Sequence, residues 1–401
     1  MKKLIFGYGE TGKSVETHFK KNEIDYLIYD DNKDLIIQNE IIFDEKRFSE
    51  IDEVIISPGI KPRHPLLEEI NLKRLNINTD IDLFNQLYKG KIIGVTGTNG
   101  KTTFVNLLTE YLKSLGIKSV AVGNVGKSPL EIVDEDYEYV IMELSSFQLY
   151  YINNLKLDKA IVLNIHEDHL DWHLDFTEYR NAKLKIWEFT TYNKIESSNN
   201  YDSDLEPNYD ERNTKEELFE QAGILDIVSD IPLYEQTLYA FLKIVDDLKL
   251  NNDYIHQFLL NYKTEEHRFE LVDEFQDVVY INDSKSTNFN SLSIASTKIE
   301  NGILVLHGIT KNISSKDLTI SKKIKTILVP QDMEINLNNV DAKIIKLKSI
   351  FELEKVLIKI IKPGDTVLFS CGGASFNDFT DYQERGNYFK SVVSNIRQRN
   401  A

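Results

Sequence analysis

The sequence predicts an α/β protein of three domains, and three observations predict it. Strands of apolar residues repeatedly end in polar or glycine-rich turns and pass into segments of helical spacing, the alternation of parallel sheets covered by helices. Two of these turns, Gly7-Tyr8-Gly9-Glu10-Thr11-Gly12 and Gly94-Val95-Thr96-Gly97-Thr98-Asn99-Gly100-Lys101-Thr102-Thr103, each open a unit of their own. A third alternating stretch starts near residue 271, after helical patterns at 232–250 and 254–262. The expected domains are 1–88 and 271–401, both Rossmann-like, and 89–270, a central P-loop ATPase-type domain on a mostly parallel sheet.

In the first domain a strand at 3–6 enters the glycine turn, a helix follows over 13–21, and a second strand at 26–29 ends in Asp30-Asp31. This is the spacing of a dinucleotide fingerprint, whose acidic residue meets a ribose hydroxyl. The same pattern suits another nucleotide, or tight helix–strand packing alone. A strand at 53–56 runs into Ser57-Pro58-Gly59, at the edge where doubly wound folds bind ligands.

The second domain opens with a strand at 91–95, the glycine turn and a helix at 104–115 with Val105, Leu107, Leu108, Tyr111, Leu112 and Leu115 on one face. Backbone N–H groups in such a turn, with the helix N-terminus behind them, cradle phosphates. Lys101 adds a charge on the terminal phosphates and Thr102 a hydroxyl for Mg²⁺. The spacing departs from the general P-loop, because Val95 stands at the first glycine position and Gly97 takes over. Strands at 118–122, 139–142 and 159–163 end in Gly123-Asn124, in Glu143-Leu144-Ser145-Ser146-Phe147-Gln148 and in Asn164-Ile165-His166-Glu167-Asp168-His169. Asn124 either meets substrate or satisfies its own backbone. Glu143 is a direct or second-sphere Mg²⁺ carboxylate, and His169 a further ligand or a polar contact. An amphipathic helix at 175–189 carries Lys183, and residues 190–220, poor in apolar side chains, read as a long loop or poorly ordered insertion.

In the third domain strands at 278–281, 302–306, 325–329, 343–347 and 366–369 alternate with helices, and polar residues again sit at strand ends. A length of 401 residues suffices for two or three cores, and 41% apolar with 28% charged residues is ordinary for a soluble protein. The net charge of −17 argues against nucleic acid and membrane as partners, since both need a basic footprint. The single Cys371 rules out an internal disulfide and suits a reducing compartment. The apolar start stops at Gly7, too short for a signal peptide, and no run reaches membrane-spanning length, so a cytoplasmic protein is expected.

Taken in order, Gly97–Thr103, Glu143–Gln148, Asn164–His169, His267-Arg268-Phe269-Glu270 and Asp283-Ser284-Lys285-Ser286-Thr287-Asn288 resemble the Mur ligase family of peptidoglycan synthesis. The resemblance runs almost end to end and thins between about 190 and 263. Residues 370–389 resemble the ending of the member that adds D-glutamate to UDP-N-acetylmuramoyl-L-alanine, and the Asp-Asn-Pro-Arg motif of the diaminopimelate- or lysine-adding members is absent. The resemblance implies an ATP-dependent amide-forming ligase that works through an acyl phosphate, as a monomer with small-molecule substrates.

The resemblance also implies roles. Gly97, Thr98, Asn99, Gly100, Lys101, Thr102 and Thr103 would hold ATP, with Arg268 on phosphate and Asp283 on ribose. Two Mg²⁺ sites would use Thr102, Glu143, His169 and Lys183, the lysine carrying a CO₂-derived carbamate. Glu10, Thr11, Asp30, Asp31, Asn32, Ser57, Gly59 and Asn124 fall where the UDP sugar is held, and Lys285, Thr287, Lys311, Ser375 and Tyr382 surround D-glutamate. Departures lie at His307-Gly308-Ile309-Thr310-Lys311, where the family carries a Gly-Gly-Asp-Gly-Lys-like turn, and at Thr237, which stands at the adenine-contacting position. At the aromatic position of the last helix Tyr382 replaces the more familiar Phe. Folylpolyglutamate synthase shares the phosphate loop but not the first-domain crevice or this ending. A nucleotide switch or dinucleotide sensor would not need Lys101, Glu143, His169 and Lys183 together.

Overall fold

The computed structural model describes residues 1–35, 41–190, 194–196, 214–231, 233, 235–250, 253–310, 318–338 and 340–400. They form two compact units, Met1–Ile165 with Trp172–Asn261, and His166–Asp171 with Tyr262–Ala401.

The first unit contains two sheets. The N-terminal sheet is built from β1 (Lys2–Phe6), α1 (Glu10–Lys21), β2 (Tyr26–Tyr29), β3 (Ile51–Ile56), α2 (Pro65–Leu72), β4 (Asn76–Asn78) and α3 (Asp80–Leu87). Its strands run parallel in the order β2-β1-β3-β4. Strands covered on both faces must be apolar at successive positions, and Leu4, Ile5, Phe6, Val54, Ile55 and Ile56 are all buried. The strand order reverses between β1 and β3, so Gly7 and Ser57 flank the crevice where such sheets bind ligands.

The central sheet follows with β5 (Lys91–Thr96), α4 (Lys101–Ser114), β6 (Ser119–Gly123), β7 (Tyr139–Glu143), α5 (Ser146–Tyr151), β8 (Lys159–Val162), α6 (Phe176–Leu184), β9 (Lys194–Glu196), α7 (Lys215–Gln221), α8 (Glu235–Asp247) and α9 (Tyr254–Asn261). The parallel order β6-β7-β5-β8-β9 puts the phosphate-loop strand in the middle. The helix expected over 175–189 is α-helical to Leu184 and tightens to a 3₁₀ turn over Lys185–Phe189. Within the expected loop 190–220 the short β9 pairs with β8, and Thr214 caps α7 through a capping box with Glu217. Residues 197–213 lie outside the described residues.

One apolar cluster spans both sheets. Phe84, Tyr88 and Ile92 belong to a single apolar cluster with Val15 and Val120. The Asp82 carboxylate of α3 accepts from Thr79 N–H at 2.7 Å and from the N–H groups of Asn153 and Asn154 at 2.9 and 2.6 Å. Four such bonds, counting the Thr79 hydroxyl, hold a buried charge that would otherwise cost several kcal/mol (about).

The second unit holds β10 (Glu270–Phe275), β11 (Val278–Asp283), α10 (Phe289–Thr297), β12 (Gly302–His307), β13 (Ile324–Pro330), β14 (Lys343–Leu347), α11 (Leu353–Ile360), β15 (Thr366–Gly372) and α12 (Tyr382–Asn400). The order is β10-β11-β15-β12-β13-β14, parallel except for β10. Gln276 and Asp277 both have positive φ, 53° and 59°, as the tight hairpin turn before β11 requires. Arg385 of α12 is fully buried and donates to the Ser284 hydroxyl and carbonyl, at 2.9 and 2.6 Å, and to the Gly373 carbonyl at 2.8 Å. Next to it Gly386 leaves room for His267: a Cβ there would lie 2.2 Å from the imidazole Nδ1. Among the described residues no helix is long and apolar enough to cross a membrane.

Candidate active site

The phosphate loop joins the middle strand of its sheet to α4. Gly100, at φ +82°, is the N-cap of α4 and has no side chain to cap it. Helix N-termini of this kind attract anions. Thr102 and Thr103 are buried in the first turn. Asn164, at the end of β8, fixes the loop from the side: its carbonyl accepts from Thr98 N–H and its side-chain oxygen from Asn99 N–H, both at 2.8 Å. The Thr98 hydroxyl meets Tyr179 OH at 2.8 Å.

Two ammonium groups converge on one atom of this loop. Lys101 Nζ donates to the Gly97 carbonyl at 2.8 Å and to the Thr98 carbonyl at 3.0 Å. Lys183 Nζ, on α6, donates to the same Gly97 carbonyl at 2.8 Å and stands 4.9 Å from the centre of the Tyr179 ring. Lys183 is 2% exposed. Glu143, at the end of β7, is equally buried; its Oε1 accepts from Asn124 Nδ2 at 2.9 Å, and its Oε2 has no hydrogen-bond partner among the described residues. The Asn124 side chain thus reaches a carboxylate at the end of β7 rather than its own backbone. Thr237 is buried on α8 with its hydroxyl against Gly100, where a Cβ would come within 2.9 Å.

The N-terminal crevice collects the expected sugar-nucleotide residues at the carboxyl ends of β1, β2 and β3. Glu10 and Thr11 open α1, and Glu10 is exposed beside Lys13 at 3.1 Å. The Asp30 carboxylate accepts from Tyr8 N–H at 2.6 Å and from Asn32 N–H at 2.8 Å, so it shapes the glycine turn. Asp31 pairs with His64 at 3.1 Å, and this hydrogen bond holds its carboxyl below the usual range. The Asn32 side chain accepts from Asp34 N–H at 3.1 Å. Ser57 donates to the Gly7 carbonyl at 2.7 Å, Gly59 is exposed, and a Cβ on Gly12 would strike that carbonyl at 2.2 Å.

In the second unit Asp283 is buried at the end of β11, accepting from Phe269 N–H at 3.1 Å and from the Ser370 hydroxyl at 2.7 Å. Arg268 pairs with Glu265 at 2.8 Å. Lys285 Nζ lies 3.1 Å from Tyr382 OH and 4.5 Å from the centre of that ring. Thr287 is half-buried and Ser375 buried. His169 belongs to the segment His166–Asp171 of this unit, with φ +55° and a side chain 35% exposed. Lys311 lies outside the described residues.

Residues 95–223 match the model of the Mur ligase middle domain. The chain is 32% identical to the UDP-N-acetylmuramoylalanine–D-glutamate ligase of Buchnera aphidicola subsp. Acyrthosiphon pisum, over 98% of each chain. It belongs to the Mur ligase family. The fold is similar to that of a UDP-N-acetylmuramate–alanine ligase from Thermotoga maritima, with a TM-score of 0.54 and 16% identity over the whole of both chains. It is also similar to the MurF ligase of the same organism in complex with ADP, at a TM-score of 0.53 and 16% identity, covering 88% of this chain and 90% of that one.

Sequence reasoning on this Mur ligase missed the residues that hold the site rather than line it. Asn164, Ser370 and Arg385 stand in the sequence only as members of motifs, although each ties two loops together. A buried arginine in a helix that is otherwise amphipathic, next to a glycine, was the available signal. Burial also has a consequence at Asp283, whose carboxyl it pushes up to about 6. The unfolded chain titrates this group near 3.9 (about). The folded state therefore binds the proton more tightly, and the stability this confers is full below about pH 4 and lost as pH rises through about 6, by up to ~3 kcal/mol. We expect urea unfolding to show wild type losing stability relative to Asp283→Asn, by up to ~3 kcal/mol, as pH rises from 4 to 7, with a pH-independent difference contradicting a raised carboxyl.

Proposed function

We propose that this Mur ligase is an ATP-dependent ligase that adds D-glutamate to UDP-N-acetylmuramoyl-L-alanine, releasing ADP and phosphate, in the cytoplasmic synthesis of peptidoglycan precursor. The observation that carries the ligase reading is the phosphate loop, with two lysines on the Gly97 carbonyl and a buried Glu143 oxygen left open. The choice of amino acid and acceptor rests on the name of the Buchnera relative.

The chemistry explains the residue types. A carboxylate and a triphosphate repel by about 3 kcal/mol per charge pair at 5 Å and an effective dielectric of 20 (roughly). Cations must offset that before the alanyl carboxylate can attack the γ-phosphorus and expel ADP. The D-glutamate amine then attacks the carbonyl of the acyl phosphate, the C–O bond to phosphate breaks, and an amide remains. On ATP binding Lys101 exchanges two neutral carbonyls for phosphate oxygens, a stronger charge-assisted contact. The N–H groups of the residues that open α4 would meet the same anion, while Asn164 keeps those of Thr98 and Asn99.

The open Glu143 oxygen and the Thr102 hydroxyl are hard oxygen donors and fit Mg²⁺. Among the described residues no three His, Cys, Asp or Glu side chains gather as a ready-made metal cage, which suits an ion that takes its remaining oxygens from substrate and water. When bound, the ion supplies positive charge between phosphate and carboxylate. A carbamate on Lys183 would turn a buried cation into an anionic oxygen donor that, with His169, holds a second Mg²⁺. Arg268 contacts phosphate and Asp283 the ribose. Glu10, Thr11, Asp30, Asp31, Asn32, Ser57, Gly59 and Asn124 hold the UDP sugar. Lys285, Thr287, Lys311, Ser375 and Tyr382 hold the two carboxylates of D-glutamate. The working organisation is three domains, 1–88, 89–270 and 271–401, in a monomer.

With UDP-N-acetylmuramoyl-L-alanine, ATP and Mg²⁺, phosphate release across a panel of D- and L-amino acids should occur with D-glutamate; release with folate substrates instead, or none, would overturn the assignment. Lys183→Ala should lose about 100-fold or more of the rate and recover part of it with short-chain carboxylates, which stand in for the carbamate. Full activity in that variant would remove Lys183 from the mechanism.

A further inference from the structure

The residue proposed to complete the second metal site is held in an unfavourable backbone. His169 has φ +55°, a left-handed conformation that costs a non-glycine residue about 1–2 kcal/mol. Something must hold it, and the adjacent side chain does. Asp168 is 4% exposed; its Oδ1 accepts the His169 N–H at 2.8 Å, fixing the peptide that precedes the left-handed residue. Its Oδ2 accepts from Asn288 Nδ2 at 3.3 Å.

Asn288 has no freedom to present its amide the other way round. It caps α10, and its Oδ1 accepts from both the N–H and the hydroxyl of Ser291 at 3.0 Å. Only an oxygen can take those two donors, so the NH₂ group must face Asp168. Asn288 is 4% exposed, which excludes water as an easy substitute. The three residues thus form a chain, from the cap of α10 through a buried carboxylate to the backbone of His169, all inside one compact unit. Asn288 also ends the loop that carries Lys285 and Thr287, whose other end is fixed by the bonds of Asp283 to Phe269 and Ser370. One cap therefore braces both the loop and the segment bearing the histidine.

We propose that Asn288 is a positioning residue for His169, setting through Asp168 the backbone that aims the imidazole, and with it the affinity for the second divalent ion. The proposal rests on the reading of His169 as a metal ligand, and outer contacts of this kind tune metal affinity by about 10–100-fold.

A charge swap tests it in the full-length protein. Asn288→Asp keeps a good helix cap but sets a carboxylate against Asp168. Asp168→Asn added to it restores a donor–acceptor pair in the opposite sense. Two readouts are taken: hydrogen–deuterium exchange of residues 166–171 without metal, and calorimetric titration of Mn²⁺ in the presence of ADP. Asn288→Asp should speed exchange in that segment and weaken one class of Mn²⁺ sites about tenfold or more. The double variant should reverse both. Asn288→Ser, which retains the cap and removes only the arm, should give the same direction of change with an unaltered melting temperature. Unchanged exchange in Asn288→Asp, or no recovery in the swap, overturns the brace. Exchange that rises and recovers while Mn²⁺ affinity stays constant overturns the proposal in another way, by showing a brace on a histidine that holds no metal.

Discussion

The structure depends most on a single carbonyl. The Gly97 oxygen receives two ammonium groups, each at 2.8 Å, so the two nitrogens lie within 5.6 Å of one another. At that separation like charges cost about 3 kcal/mol at an effective dielectric of 20. The repulsion favours an anion beside either lysine. A polyphosphate relieves it at Lys101, and conversion of the amine to a carbamate would relieve it at Lys183. The loop glycines and the bracing by Asn164 keep that carbonyl where both lysines reach it.

The rest of the molecule places its polar groups by the same rule of parallel sheets, at the carboxyl ends of strands. Glu143 ends β7, Asn164 follows β8, and Ser57 follows β3. Asp283 ends β11 and Ser370 lies near the end of β15. Part of the backbone strain lies beside such groups. His169, His267 and Phe269 all have positive φ, and each is held by a bond to a buried carboxylate, amide or neighbouring loop. Residues in such conformations persist only where the surroundings over-determine them, which is the usual condition of functional segments.

Most of the fold was legible because strands buried on both faces spell continuous apolar runs and their turns spell glycine. The expected strands at 3–6, 26–29, 91–95, 139–142 and 343–347 are β1, β2, β5, β7 and β14 to within a residue or two. The strand β10 has no expectation to match it, because Glu270, Asp273 and Glu274 break the apolar run while guarding the sheet edge. The chain-order reading kept residues 166–171 with the sheet they follow, whereas contacts group them with 262–401. No pattern of spacing reports such an exchange, since it arises from tertiary hydrogen bonds such as Asn288 to Asp168. Of the candidate site, the residues bearing charge were legible from their motifs, and the uncharged braces were not.

The claim that the paired lysines and the open helix start form an anion trap is tested most directly by calorimetric titration of Mg²⁺-ADP into wild type and Lys101→Met. Binding in wild type should weaken about 100-fold or more in the variant, with the fold retained in the absence of nucleotide. Equal binding by the two proteins would contradict it.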